Sequence, residues 1–210
     1  MKKRPLVYTL FVLLVAAGGL YTWYVYGHYR FETIDKNRVY KSALITPDRL
    51  EDFLIPYHIK TVVDLLDPGV QDALNPAQQK EIDAEAAAIA RINDTYGTQI
   101  RHVNIPSRQV PTAETLEKFF ALLDDNASYP VLIHCYHGMG RAVIYSALYR
   151  IEYLHWDNEK AREWTRLLPI MVESRLYHSS FARGHSKGDF LIHYAPRSEG
   201  EASTLHHLEG

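Results

Sequence analysis

The chain has 210 residues, with 23 Lys and Arg against 25 Asp and Glu and a net charge of −2, enough for one ordinary domain plus an appendage. This balance carries no polyanion-binding character, so no nucleic-acid partner is expected. A single cysteine excludes an intrachain disulfide framework and a CxxC-type zinc site, so its thiol works alone or with other residue types.

The N-terminus differs in kind from the rest. A basic flank, residues 1–4, precedes residues 5–27, which contain no charged side chain. At about 1.5 Å rise per residue, a helix of that length matches a hydrocarbon core of about 30 Å. Tyr21, Trp23, Tyr24 and Tyr26 gather at its far end, as interfacial aromatics do. An uncleaved single-pass anchor is expected. A signal peptide cut near Val15-Ala16-Ala17 and a buried core helix are the rival readings. The apolar run continues well past that site, and a basic chain end fits a core helix poorly. Lys2, Lys3 and Arg4 hug the span and favour a cytoplasmic N-terminus, although Arg30, Lys36, Arg38 and Lys41 lie close to its other end. The globular domain is therefore placed outside the cytoplasm.

From residue 28 the pattern is that of an α/β domain. Arg38–Ala43 reads as a short strand, and Thr46-Pro47 opens a helix through "DRLEDFLIPY". Lys60–Leu66 is a buried strand stopped by Asp67-Pro68-Gly69. Asn75-Pro76 starts a longer helix with Ile82, Ala86 and Ile89 on its apolar face, ended by Gly97. Gln99–Ile105 is the next strand. Thr112 caps a helix whose Leu116, Phe119, Phe120 and Leu123 recur at helical spacing. "PVLIHC" is apolar almost throughout, as a central parallel strand should be. Helices follow from Arg141 and from Asn158 to about Tyr177. "SSFARGHSKGDFLIHYAP" is loop-like with one short element. Residues 28–196 thus form one domain, a mostly parallel sheet of about four to five strands flanked by helices, and 197–210 form a polar, mobile tail.

The chemistry concentrates in "HCYHGMGRA", His134 to Ala142. A strand, a glycine-containing loop and a helix starting near Arg141 place unpaired backbone N–H groups around whatever fills the loop, and the helix dipole favours an anion there. Gly138 and Gly140 let successive amides converge into a nest. Cys135 lies in the same field, and thiols at helix N-termini near cations ionise more readily than the ordinary value of about 8.5. Arg141 suits phosphate because its planar fork grips two oxygens. Two rival readings are a structural buried cysteine and a metal site from His134, Cys135 and His137, which lacks a placed fourth ligand such as His102.

His134-Cys135-x-x-Gly138-x-x-Arg141 resembles the HCxxGxxR signature of the cysteine-dependent protein tyrosine phosphatases, in their dual-specificity branch. "NRVYKSALITPDRLEDFLIPYHIKTVVDLL" and "PVLIHCYHGMGRAVIYSALYRI" look like elements of the compact dual-specificity-like phosphatases of bacteria, plants and fungi. The resemblance, over roughly 31–153, implies hydrolysis of a phosphate monoester through a phosphocysteine, without metal or cofactor. Cys135 would be the nucleophile and Arg141 the phosphate clamp, with the amides of Tyr136, His137, Gly138, Met139, Gly140 and Arg141 cradling oxygens. The implied substrate is a phosphotyrosine protein, a lipid head group or a small phosphate ester.

Two positions depart from the pattern. Aligning "VNIPSRQVP" on the loop that normally carries the general-acid Asp puts Gln109 there, and an amide donates no proton. Asp67 and Glu114 are the substitutes at hand, although a turn residue and a surface residue in a helix's first turn are their simpler roles. Ala142 stands where Ser or Thr usually follows the arginine, removing a hydroxyl from the neighbourhood of the sulfur. Slow turnover, an unusual substrate or a phosphate-binding module with little turnover is expected. In the loop itself Tyr136, His137 and Met139 bring no lysine, so highly charged inositol phosphates gain no support. Arg183, His185 and Lys187 sit on a segment able to approach the mouth, with a solvated loop as the simpler expectation.

Overall fold

The computed structural model describes residues 4–69, 79–174 and 178–197. Helix α1 (Arg4–Thr22) runs on through a π-helical turn, Trp23–Gly27, and among the side chains described there only Val25 is buried. Val7–Gly27 has the length and apolarity of a membrane span and is almost wholly exposed; a signal sequence near an N-terminus meets the same description.

The sheet has the order β1-β2-β5-β3-β4. β2 (Val39–Ala43), β5 (Val131–Cys135), β3 (Thr61–Asp64) and β4 (Arg101–Asn104) run parallel, and β1 (Glu32–Asp35) is antiparallel at the edge. β5 is central, paired on both sides and buried at all five residues, which its near-continuous apolar sequence anticipates. Strand alternation sends Val131, Ile133 and Cys135 to a core shared with α4 (Ala113–Asp124) and α5 (Arg141–Leu154). Leu132 joins Val62 and Tyr40 on the other face, under α2 (Glu51–Leu54) and α3 (Gln79–Tyr96). α5 is buried from Arg141 to Ile151, as a helix apolar on nearly every side must be.

Several boundaries match the sequence reading. Thr112 caps α4 by accepting from the Thr115 N–H, and Gly97 closes α3 at φ +64°. Others differ. Regular helix in "DRLEDFLIPY" covers only Glu51–Leu54, since Pro56 halts it. The helix expected from Asn158 to about Tyr177 stops early: α6 covers Asn158–Glu163. Pro169 holds Leu168 in extended backbone (φ −122°, ψ 123°), and only a short 3₁₀ turn, Pro169–Met171, follows. The buried Arg162 folds this stretch back by donating to Glu173, Glu159 and the Phe181 carbonyl. α7 (Ser186–Ile192) supplies the short element of the last segment. β1 was not anticipated; Asn37 at φ +62° makes the turn that returns it antiparallel onto β2. The expected start at Asn75-Pro76, Tyr177 and the tail from 198 onward lie outside the described residues. Arg197, drawn as the tail's first residue, is held by Asp124 and Glu152 and packs over Phe120.

The face of β5 opposite Cys135 carries a buried charge cluster. Glu85 Oε2 lies 2.9 Å from Nε2 of both His134 and His102, with Asp64 carboxylate oxygens 3.8 Å from the same nitrogens. Burial alone would raise Glu85, but His134 and His102 bring it down to about 2. Burial alone would lower His134, but Glu85 and Asp64 hold it at about 9, above an ordinary 6.5. Asp64 is raised, mainly by burial, and opposes Glu85 on the acid side, which leaves the alkaline limb as the clean readout. A raised histidine stabilises the fold fully below its unfolded value, and that contribution is lost as pH rises through the folded one. Unfolding free energy should therefore fall between about pH 6.5 and 9. In Glu85→Gln that slope should largely vanish while the plateau drops, as denaturant titrations across pH would register; an unchanged slope would refute the pairing.

Candidate active site

The loop between β5 and α5 folds as it does because of its glycines. Gly138 sits at φ +65°, and a Cβ there would lie 2.6 Å from the Ala43 N and 2.8 Å from the Ser42 carbonyl. The loop thus rests directly on the end of β2, tied by a 3.2 Å bond from Leu44 N–H to the Tyr136 carbonyl. Gly140 opens α5, and a Cβ there would meet Lys187 Nζ at 2.9 Å.

Cys135 is 2% exposed, and its sulfur accepts from the Ala142 N–H, in the first turn of α5, at 3.5 Å. Arg141 is 3% exposed. Its Nη1 donates to the Leu65 carbonyl (2.6 Å) and the Ser107 carbonyl (3.0 Å), while Nε and Nη2 are buried without a partner. Two carbonyls fix one side of the guanidinium and leave its two-pronged edge for an oxyanion. A buried donor left unpaired costs about 1–3 kcal/mol, which a doubly accepting anion would remove.

Cys135 and Arg141 line one cavity of about 240 Å³ with His137, Met139 and Gly140. Gln109 and Lys187 close it, with Lys187 Nζ donating to Gln109 Oε1 at 2.5 Å, and Arg166 and Ser180 complete the lining. Ser107 holds the Gln109 loop in place through a 2.8 Å hydroxyl contact with the buried Tyr145. Gln109 thus stands at the mouth, and α7 carries Lys187 there. Arg183 pairs instead with Glu159, and His185 sits at the N-cap of α7. Tyr136 faces a second, larger cavity.

The substitute acids do not reach the sulfur. Asp67 accepts from the Gly69 N–H in its turn, and Glu114 pairs with Lys118 on the surface. His134, Cys135 and His137 do not converge on a metal, because alternation along β5 turns His134 to Glu85 and Cys135 to α5. The group among the described residues that brings ligand atoms together is Asp64, Glu85 and His134, within 4.8 Å of one another. Glu85 there hydrogen-bonds His102 and lies 2.9 Å from His134 Nε2 as an ion pair.

Three side chains escaped the sequence reading. Arg30 donates from Nη1 to the His137 carbonyl at 3.0 Å, bracing the loop from outside. Arg166 was placed inside a long helix. Glu85 is a charge on an apolar helix face, and its acidity pointed to surface.

A family model described as a DSP-PTPase phosphatase fused to NAD+ kinase matches residues 28–178. The dual specificity protein phosphatase TpbA of Pseudomonas aeruginosa (strain UCBPP-PA14) is 36% identical over 66 residues, 30% of this chain and 30% of that protein. The chain thus aligns with less than a third of the curated relative's length. The core catalytic domain of the PP-IP phosphatase SIW14 from S. cerevisiae, in complex with citrate, superposes with TM-score 0.55 at 15% identity, over 84% of this chain and 91% of that one. A second structure of the Siw14 catalytic core gives 0.52 at 14% identity, over 83% and 88%. At these identities the superpositions speak for the fold. With the match running through most of the chain, this protein belongs to the family of the DSP-PTPase phosphatase fused to NAD+ kinase.

Proposed function

We propose that the chain hydrolyses phosphate esters through a phosphocysteine, with Cys135 as nucleophile and Arg141 as phosphate clamp. The observation that carries this reading is the Arg141 guanidinium, buried beside the sulfur with Nε and Nη2 unpartnered. The Cys135 thiolate attacks phosphorus, an Sγ–P bond forms and the P–O bond to the leaving group breaks. Arg141 and the amides of residues 136–141 hold the equatorial oxygens, most strongly as charge redistributes in the transition state. Water then attacks phosphorus, the Sγ–P bond breaks, and inorganic phosphate leaves.

Gln109 gives the departing oxygen no proton, and Lys187 beside it stabilises negative charge there instead. Without a hydroxyl at Ala142, the thiolate released in the second step receives an amide N–H alone. Phosphorylated molecules are the substrates, consistent with the family and with the yeast relative's description as a PP-IP phosphatase. The apolar N-terminal helix anchors the domain as a single-pass membrane protein with the site outside the cytoplasm.

The deciding experiment uses an activated aryl phosphate, which hardly needs an acid. Turnover by the wild type that is lost in Cys135→Ser is expected; absent turnover with retained phosphate binding would make the fold a binding module. An Asp at position 109 would pair with Lys187, which lowers its pKa and spoils it as an acid. Gln109→Asp alone should therefore change little. Combined with Lys187→Met it should raise kcat on alkyl phosphates by roughly 10²-fold and on aryl phosphates far less. Equal effects on both substrates would show that residue 109 is not at the leaving-group side. Ala142→Ser should accelerate the post-burst phase of phosphate release, and an unaltered burst-to-steady-state ratio would contradict a role for that hydroxyl.

A further inference from the structure

Three features lie outside the mechanism just described: two adjoin the 136–141 loop, and the third follows a residue that lines the Cys135 cavity. The first is the loop's distance from the apolar helix. Arg30, only a few residues beyond the aromatic cluster Tyr21–Tyr26, reaches the His137 carbonyl at 3.0 Å. Tyr29 is fixed there as well: its carbonyl accepts from Ala43 N–H at 2.7 Å and its hydroxyl lies 2.9 Å from Thr46 Oγ1. With the aromatic cluster at the membrane–water interface, the phosphate loop lies at head-group height.

The second is a cavity of about 750 Å³ that shares His137 with the Cys135 pocket. Val25 and Tyr26 of the apolar helix form one wall and Leu44 and Ile45 another; Arg30 lines it beside the Lys80–Glu81 ion pair and Glu85. The third is the segment directly after Arg166, itself a lining residue of the Cys135 pocket. Leu167, Leu168 and Ile170 are 88%, 55% and 81% exposed, an apolar patch that follows this lining residue in sequence. Exposed apolar clusters of this kind mark contact with a membrane or a partner. A bilayer would account for this one without an additional protein if the apolar helix is the anchor proposed above.

The leaving-group side narrows the substrate further. A proton donor matters most for an alkoxide of high pKa and hardly at all for a phosphate, which departs as a stable anion. A site with Gln109 in place of an acid, and with Lys187 and Arg166 at its mouth, suits a leaving group that is itself a phosphate. We infer that the substrate is a bilayer-resident lipid diphosphate, cleaved at its terminal phosphate, with the apolar groove and the Leu167–Ile170 patch seating the enzyme over it. This deepens the phosphocysteine reading and rests on it. Cys135 attacks the terminal phosphorus, the bridging P–O bond breaks, and the lipid monophosphate leaves without needing a proton. Water then releases inorganic phosphate from sulfur.

The test uses the full chain in phosphatidylcholine vesicles and four probes. These are geranylgeranyl diphosphate, its monophosphate, inorganic pyrophosphate and glycerol 3-phosphate, with the activated aryl phosphate as a control. The expected order is lipid diphosphate first, by about tenfold or more in kcat/KM over each of the other three. Leu167→Glu with Ile170→Glu, both on exposed side chains, should lower the ratio of lipid-diphosphate to aryl-phosphate activity about tenfold. Ala84→Trp, which fills the groove from α3, should lower the same ratio. A lipid monophosphate as good as the diphosphate would overturn the anhydride half. Pyrophosphate as good as the lipid, or a double-Glu variant with an unchanged ratio, would overturn the membrane half. Aryl-phosphate turnover without lipid preference sinks this inference alone, whereas no Cys135-dependent turnover of any probe sinks the phosphocysteine reading with it.

Discussion

The Arg141 guanidinium is the point at which fold and chemistry meet. Its Nη1 is satisfied by carbonyls after β3 and β4, Leu65 and Ser107, so the side chain cannot swing to follow a ligand. Its other two nitrogens are buried and face no acceptor from the protein. An arginine held this way is preorganised: the cost of burying and aiming it is met by the fold, and an oxyanion gains the whole of the two-pronged contact. The same constraint explains why the sheet order matters. With β5 between β2 and β3, the cysteine, the β3-end carbonyl and the β2-end backbone under Gly138 all lie at the carboxyl ends of these parallel strands. Ligands in open α/β sheets bind beyond the carboxyl ends of the strands for this reason.

That arrangement separates two jobs which the motif alone runs together. Holding an oxyanion requires the loop, the helix start and Arg141, and all three are intact. Moving protons at a leaving group requires an acid, and the side chains closing the Cys135 cavity include a Gln–Lys pair. A fixed cation lowers the energy of a departing oxygen in proportion to the charge that oxygen carries, but it does not neutralise an alkoxide. On the phosphocysteine proposal, the site would therefore hold phosphorus strongly and be selective about what can leave.

How much of this was legible in the sequence follows from the range of the forces involved. Elements governed by local pattern were readable: β5 from its continuous apolar run, α4 from its Thr112 cap and periodicity, the phosphate loop from its glycines and Arg141. Gln109 lines the Cys135 cavity because the loop bearing it follows directly from β4. What escaped depends on contacts distant in sequence. β1 is a half-exposed edge whose pairing with β2 supplies the signal its own residues lack. The end of α6 depends on Pro169 and on Arg162 reaching Glu173 and Phe181. Glu85 reads as surface until the two histidines from β4 and β5 are seen to bury with it. Lys187 was noticed but its direction was not, since α7 aims it across a separation of 78 residues from Gln109.

The segment joining the apolar helix to the domain has its own physical logic. Tyr29 and Arg30 adopt φ of 52° and 49°, left-handed backbone that bulky side chains enter at a cost of about 1–3 kcal/mol each. Such a conformation persists only when its surroundings over-determine it. Here they do: Ala43 N–H holds the Tyr29 carbonyl, Thr46 meets its hydroxyl, and Arg30 donates to the His137 carbonyl of the phosphate loop. A flexible tether would need none of these bonds and would leave the domain free to turn relative to the helix. Arg30 ties to the 136–141 loop and Tyr29 to the end of β2 beneath it, so the orientation of the Cys135 pocket relative to the apolar helix is a specified feature of the fold.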